Sequence, residues 1–357
     1  MNTNTAALKS TRNYGVDTLR VLSMLMIVVA HICTQGGLLT AAEAAGAGKY
    51  AAWTLRIFMI VDVNCFALIT GYVSVDSRFR ASRPIALWLQ LFVYSVGISA
   101  LFRIFGVSAF EPLKTFLPVL SGRWWYMTAY FGIVFLLPFM GVIFDHISRR
   151  HASLLVLALV CLFSLLPSAT NRDIFRLQQG YDMAWLGVLA LIGGYIKRFE
   201  PFKHIRRGWL LVYVFCMLCI CAWKFIIKSS PDRFIGFTSV FALIGAISLL
   251  LFLSRISIAP AVKKAAKLLG PVTLGVYLIH VHPCVWNHVL GGLFAPIGKL
   301  NPLLIIPAAI GSALGIFIVC AAVDWVRGQA FRLLRINRLA DILGDKLTAL
   351  AERIFSN

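Results

Sequence analysis

The chain has 357 residues, of which 60% are hydrophobic and 13% charged, and its mean hydropathy is +0.84. A soluble domain carries about 25% charged residues and cannot bury so large an apolar share in one core, so an ordinary soluble protein, a disordered chain and a disulfide-stapled secreted fold are all excluded. Lys and Arg number 34 against 14 Asp and Glu, a net charge of +20; the basic residues lie between apolar runs, which assigns them to orientation in a bilayer instead of nucleic-acid binding.

A polar, basic opening segment, residues 1–15, precedes the first apolar run. No small-residue cleavage site follows that run, so it reads as a retained transmembrane helix and not a removed signal peptide. Ten stretches reach the length of about 20 apolar residues that a spanning helix requires: 16–36, 52–74, 84–106, 123–145, 151–168, 181–198, 208–228, 233–254, 270–290 and 303–327. The fifth is short and the ninth is interrupted by Pro283. The expected fold is therefore all-α and polytopic, with a membrane domain over residues 16–327. Alternating the connections between the two sides gathers most of the basic residues on the side of both termini, which makes both termini cytoplasmic. Residues 328–357 repeat apolar positions at helical spacing with basic residues between them, the pattern of a basic amphipathic tail on the anionic inner leaflet. The eight cysteines fall within spans, where they behave as small hydrophobes. Any chemistry has to lie among the helices or at their ends.

A titratable side chain within the hydrocarbon costs at least about 2.5–3.5 kcal/mol, so each marks a candidate site. The first helix carries Asp17, Arg20 and His31, the second Asp62 and Asn64, and the ninth Tyr277, His280 and His282. Arg20 and His31 are separated by about three turns, which places them on one face roughly 16 Å apart along the axis. Asp17 lies one turn before Arg20 on the same stripe, in reach of an ion pair. A fixed cation low on the face and an imidazole high on it suit a long substrate with an anionic end and a reactive end. Taken one at a time, the same residues also fit an interfacial pair and a hydrogen-bonded core histidine. Arg78, Arg80 and Arg83 cluster after the second helix; a positive-inside anchor and a phosphate-recognition site account for them equally well. His280 and His282 form an H-x-H on a helix and point about 200° apart, with no third ligand apparent, so no metal is expected.

Together these motifs resemble the acyltransferase-3 family of ten-helix membrane acyltransferases. The resemblance rests on a basic residue, ten intervening residues and a histidine, here Arg20 to His31 in RVLSMLMIVVAH, with Asp17 at the acidic position upstream. It rests also on NCFALITGYV, with Thr70 where the family has serine, on Arg80 and Arg83 as the Arg-x-x-Arg turn, on GRWWYMTAYF with Trp125, Tyr126 and Met127, and on LGVYLIHVHP with Tyr277 and His280. The resemblance implies transfer of an acyl group, most often acetyl, from cytoplasmic acyl-CoA as co-substrate to a hydroxyl of an extracytoplasmic glycan, in a bacterial plasma membrane and without a tightly bound cofactor. On that expectation His31 is the catalyst, Arg20 and Asp17 assist it, and Arg78, Arg80 and Arg83 bind CoA phosphates. Trp125, Tyr126, Tyr277, His280, Asp62 and Asn64 would contact the acceptor or line the path. The chain lacks the SGNH-type hydrolase domain fused to some family members, and is expected to act alone or with a separate partner. The rival reading is a transporter or flippase of a lipid-linked sugar, which would ordinarily show a repeat that is not visible here.

Overall fold

A computed structural model describes residues 12–77, 79–108, 111–227 and 229–355. The N-terminal segment before Arg12 and Arg78 of the basic cluster lie outside the described residues. Among the described residues all regular structure is helical. The principal helices are α1 (Tyr14–Cys33), α2 (Lys49–Met59), α3 (Asp62–Ser74), α4 (Ser82–Ile104), α5 (Trp125–His146), α6 (Arg149–Thr170), α7 (Met183–Phe199), α8 (Gly208–Ile226), α9 (Val240–Leu253), α10 (Pro260–His280), α11 (Pro283–Leu290), α12 (Pro302–Leu333) and α13 (Ile336–Phe355).

Each of the ten apolar stretches is helical, but they do not all have spanning length. Among the described residues seven helical segments are long and apolar enough to cross a membrane: α1, α2 with α3, α4, α5, α6, α8 and α12. The pair α10 and α11, bent by 61° at the break before Pro283, makes an eighth if taken as one span. Proline stops the first helix because its nitrogen has no proton to donate and its ring clashes with the preceding turn. The α7 and α9 helices have only 17 and 14 residues. Both pack deep inside the bundle, so they meet protein over most of their length.

The packing order follows from small residues. At the crossing of α3 and α7, a Cβ on Gly71 would fall 1.7 Å from the Ala190 carbonyl oxygen, and one on Gly193 2.0 Å from that of Leu68. Only glycine at both places lets the two backbones touch. This is the usual way membrane helices gain contact when lipid removes the hydrophobic drive. The crossing anchors the first of two large cores, built from α3, α5, α7, α8 and α9 around Leu68, Trp185 and Met217. The second core joins α1 to α4, α10 and α12 through Val28, Leu91, Val276 and Ala309. Tyr277 belongs to this second core, and Tyr126 packs against both.

Two polar knots hold the elements in place. Asn64 accepts the indole N–H of Trp185 at 3.0 Å and donates to the Phe237 carbonyl at 2.8 Å. Asp324 on α12 accepts from Tyr94 at 2.7 Å and Gln90 at 3.3 Å on α4, and forms a two-pronged bridge with Arg327 at 2.9 and 3.0 Å. α12 runs on to Leu333, past the expected boundary at 327, and α13 docks by Ala340 and Gly344 on the start of α4, where Gly344 meets Ser82. Leu339, Leu343, Leu347 and Ile354 form its exposed apolar side. The tail thus has a protein face as well as the apolar face expected against lipid.

Candidate functional site

α1 begins on Asn13, whose side chain accepts the free amides of Gly15 and Val16 at 2.9 and 3.2 Å and so caps the helix. Asp17, in the first turn, is 7% exposed and bridges two cations. Arg12 Nε is 2.5 Å from one carboxylate oxygen, and Arg20 Nη1 is 3.5 Å from the other. The hydrogen bond to Asp17 raises the Arg12 pKa above the ordinary guanidinium value. Asp17 therefore fixes Arg20, and Arg12 is a second partner that the helical stripe did not reveal.

Fourteen residues beyond Asp17, His31 sits against two rings. Its Nδ1 lies 3.0 Å from Nε2 of His280 on α10, and the Trp286 ring of α11 meets it edge-on with centroids 4.6 Å apart. His280 Nδ1 in turn lies 2.6 Å from the Val276 carbonyl oxygen. A carbonyl only accepts, so His280 carries its proton on Nδ1 and presents the Nε2 lone pair to His31. With both rings neutral, His31 must donate from Nδ1, and its own Nε2 is left with the lone pair. The network assigns this tautomer, and its logic is that of a base oriented by a third group. The break that ends α10 just after His280 brings this ring to α1.

The break between α2 and α3 positions a second pair. Ile60 and Val61 interrupt the helix, which leaves Arg56 in the last turn of α2 and Asp62 in the first turn of α3. Each charge lies at the helix end that favours it. Asp62 is 2% exposed and accepts the Val63 amide at 2.6 Å. Arg123, just before α5, donates from Nη2 to Ser99 at 2.8 Å and from Nη1 to Thr115 at 3.4 Å.

One chamber of about 900 Å³ joins these groups. At one end it is lined by Arg20, Ser77, Arg80 and Arg83, and at the other by His31, Arg56, Asp62 and Arg123. Aromatic residues wall it between: Tyr126 and Tyr130 stack with ring planes 12° apart, and Tyr277 meets Tyr126 edge-on at 6.0 Å. Trp125 also lines it and packs on Tyr181 at 4.7 Å. Arg83 donates to Ser77 at 3.3 Å. The nearby Asp76 is bound by Arg198 at 2.9 Å, so it does not neutralise the arginine pair.

The residues singled out from the sequence separate into three groups. Arg20, His31, Asp62, Arg80, Arg83, Trp125, Tyr126 and Tyr277 line the chamber. Asp17 and His280 stand behind it, each touching a lining residue. Asn64 does not reach it; its hydrogen bonds are spent on Trp185 and Phe237, and its part is structural. Arg56, Arg123 and Trp286 line the chamber and were not among the expected residues. The signal for Arg56 was available, since it is a charge inside an apolar stretch. Among the described residues no group of three His, Cys, Asp or Glu side chains is placed to hold a metal ion.

No curated protein and no solved structure matches the chain. The family described as an acyltransferase domain matches residues 13–323, from the cap of α1 to the residue before Asp324 on α12. That match takes in the arginine pair, the chamber and the two histidines together, and on it the chain belongs to the acyltransferase-3 family of membrane acyltransferases.

Proposed function

We propose that this acyltransferase moves an acyl group, acetyl in the first instance, from acyl-CoA on the cytoplasmic side to a hydroxyl of an extracytoplasmic glycan or related cell-surface molecule. The observation that carries the reading is the single chamber with the arginine pair at one end and His31 at the other. Arg80 and Arg83, with Arg20, offer planar donors that match phosphate oxygens. The pantetheine arm would pass the aromatic walls of Tyr126, Tyr130 and Tyr277, and the Arg20–His31 rise of roughly 16 Å suits its reach. In the transfer the acceptor oxygen bonds to the acyl carbon while the carbon–sulfur bond breaks. The acceptor proton goes to His31 Nε2 and from there to the departing thiolate. His280 holds the ring so that Nε2 is the basic atom.

In this reading all ten apolar stretches cross a bacterial plasma membrane, with α7, α9 and the bent α10–α11 pair as short or broken spans inside the bundle. Both termini are then cytoplasmic. Membranes containing the chain, supplied with radiolabelled acetyl-CoA and envelope material, are expected to label that material, and the His31→Ala variant is expected to lose the label at equal protein level. Normal labelling by His31→Ala would refute His31 as the catalyst.

A further inference from the structure

The His31 end of the chamber holds more positive charge than the transfer chemistry requires. Arg56 and Arg123 both line it, with Asp62 as the one carboxylate there among the described residues. Among the described residues neither arginine forms a salt bridge with Asp62, whose oxygen is turned to its own helix amide. Glu111 approaches Arg123 from the exposed loop, but it is paired with Lys114 at 2.7 Å, which lowers its pKa below the usual carboxylate value. Each arginine also retains a buried N–H without a partner, Nη1 of Arg56 and Nε of Arg123. A buried donor left unmade is costly and calls for an acceptor. Two guanidiniums against one carboxylate leave a positive surplus in a low-dielectric chamber.

We infer that the acceptor is itself anionic: the hydroxyl that receives the acyl group belongs to a molecule carrying a phosphate or carboxylate, which Arg56 and Arg123 hold beside His31. This rests on the acyl-transfer reading above and adds the substrate class to it. The oxyanion of the reacting thioester is a single transient charge next to His31. The two arginines come from separate elements, the end of α2 and the loop before α5, and Arg123 is already pinned by Ser99 and Thr115. Fixed cations on two sides fit a ground-state anion of some size. Arg56 and Arg123 are thus acceptor-binding and specificity-determining residues, while proton transfer stays with His31.

The test uses the full chain in membranes, radiolabelled acetyl-CoA, and envelope extract as acceptor. His31-dependent label is separated by anion exchange before and after mild hydrofluoric acid, which removes phosphate and leaves carboxylate. The label is expected to bind the column; loss of binding after acid identifies phosphate, and retention identifies carboxylate. Label that flows through as neutral material overturns the inference and leaves the acyl-transfer reading standing. Absence of any His31-dependent label overturns both. In a second arm, Arg56→Gln and Arg123→Gln are expected to raise the KM for the purified acceptor roughly tenfold or more, as loss of a charge-assisted contact implies, and the KM for acetyl-CoA much less. Arg56→Lys should recover part of the loss. Equal changes in both KM values, or none, refute the assignment; protein level and monodispersity are checked by size exclusion.

Discussion

His280 tests the proposed site most sharply, because it would act through His31 without lining the chamber. Its contribution passes through one hydrogen bond of 3.0 Å to His31 and one of 2.6 Å to the Val276 carbonyl. A neutral hydrogen bond of this kind contributes about 0.5–1.5 kcal/mol. Removing it frees the His31 ring to take the wrong tautomer or turn away, and at 1.4 kcal/mol per factor of ten the cost in kcat is about two- to tenfold. Loss of the base itself costs about 10²- to 10⁴-fold. His280→Ala should therefore lower kcat for acyl transfer by up to about tenfold and hardly change the KM for acetyl-CoA, whose phosphates are proposed to bind at the Arg83 end. His280→Gln, whose side-chain oxygen accepts from His31 Nδ1, should recover much of the rate. Steady-state transfer in proteoliposomes measures both constants. A His280→Ala enzyme with unaltered kcat, or one as inactive as His31→Ala, would show that the paired rings do not work as described.

Arg83→Ala and Arg80→Ala are each expected to raise the KM for acetyl-CoA by roughly tenfold, since they remove the charge-assisted phosphate contacts proposed for the donor, while kcat changes little; a pure kcat defect in donor titrations would contradict that role. Gly193→Leu should destabilise by about 3 kcal/mol or more, at or above the usual overpacking range, because the clashing atom is the Leu68 carbonyl oxygen and not a movable side chain; thermal unfolding in detergent would reveal a Tm equal to wild type if the α3–α7 contact were looser than described. Asp324→Ala leaves Arg327 with its charge partly buried and unpaired, and should cost about 3–5 kcal/mol. Asn64→Ala should lower thermal stability and leave the KM for acetyl-CoA unaltered, since its partners are Trp185 and Phe237; a donor-binding defect would return it to the chamber.

The α1 stripe was legible in the sequence because a continuous helix obeys one period: spacing alone put Asp17, Arg20 and His31 on one face, and two of the three line the chamber. Pro283 likewise announced the break beside His280. Where helices stop without proline or glycine the sequence is silent. Ile60 and Val61 look like any apolar pair, so nothing marked the gap that sets Arg56 near Asp62. Asn64 resembled a site residue because its partners, Trp185 and the Phe237 carbonyl, are more than a hundred positions away. Hydropathy measures polarity and not helix length, which is why α7 and α9 read as full spans although they have 17 and 14 residues. The docking of the tail on α4 depends on Gly344 meeting Ser82, a fit of shapes that composition does not encode.

On the proposed reading, in which the chamber leads across the membrane, its cationic lining bears on the cell's energy supply. A passage shaped to hand cargo from one compartment to another is also a place where protons and sodium would run down their gradients. Guanidinium groups at both ends of the chamber, Arg80 and Arg83 at one and Arg56 and Arg123 at the other, would then raise an electrostatic barrier to small cations, as fixed positive charge does in selective pores. The same residues proposed to hold negatively charged substrates would thus also insulate the membrane.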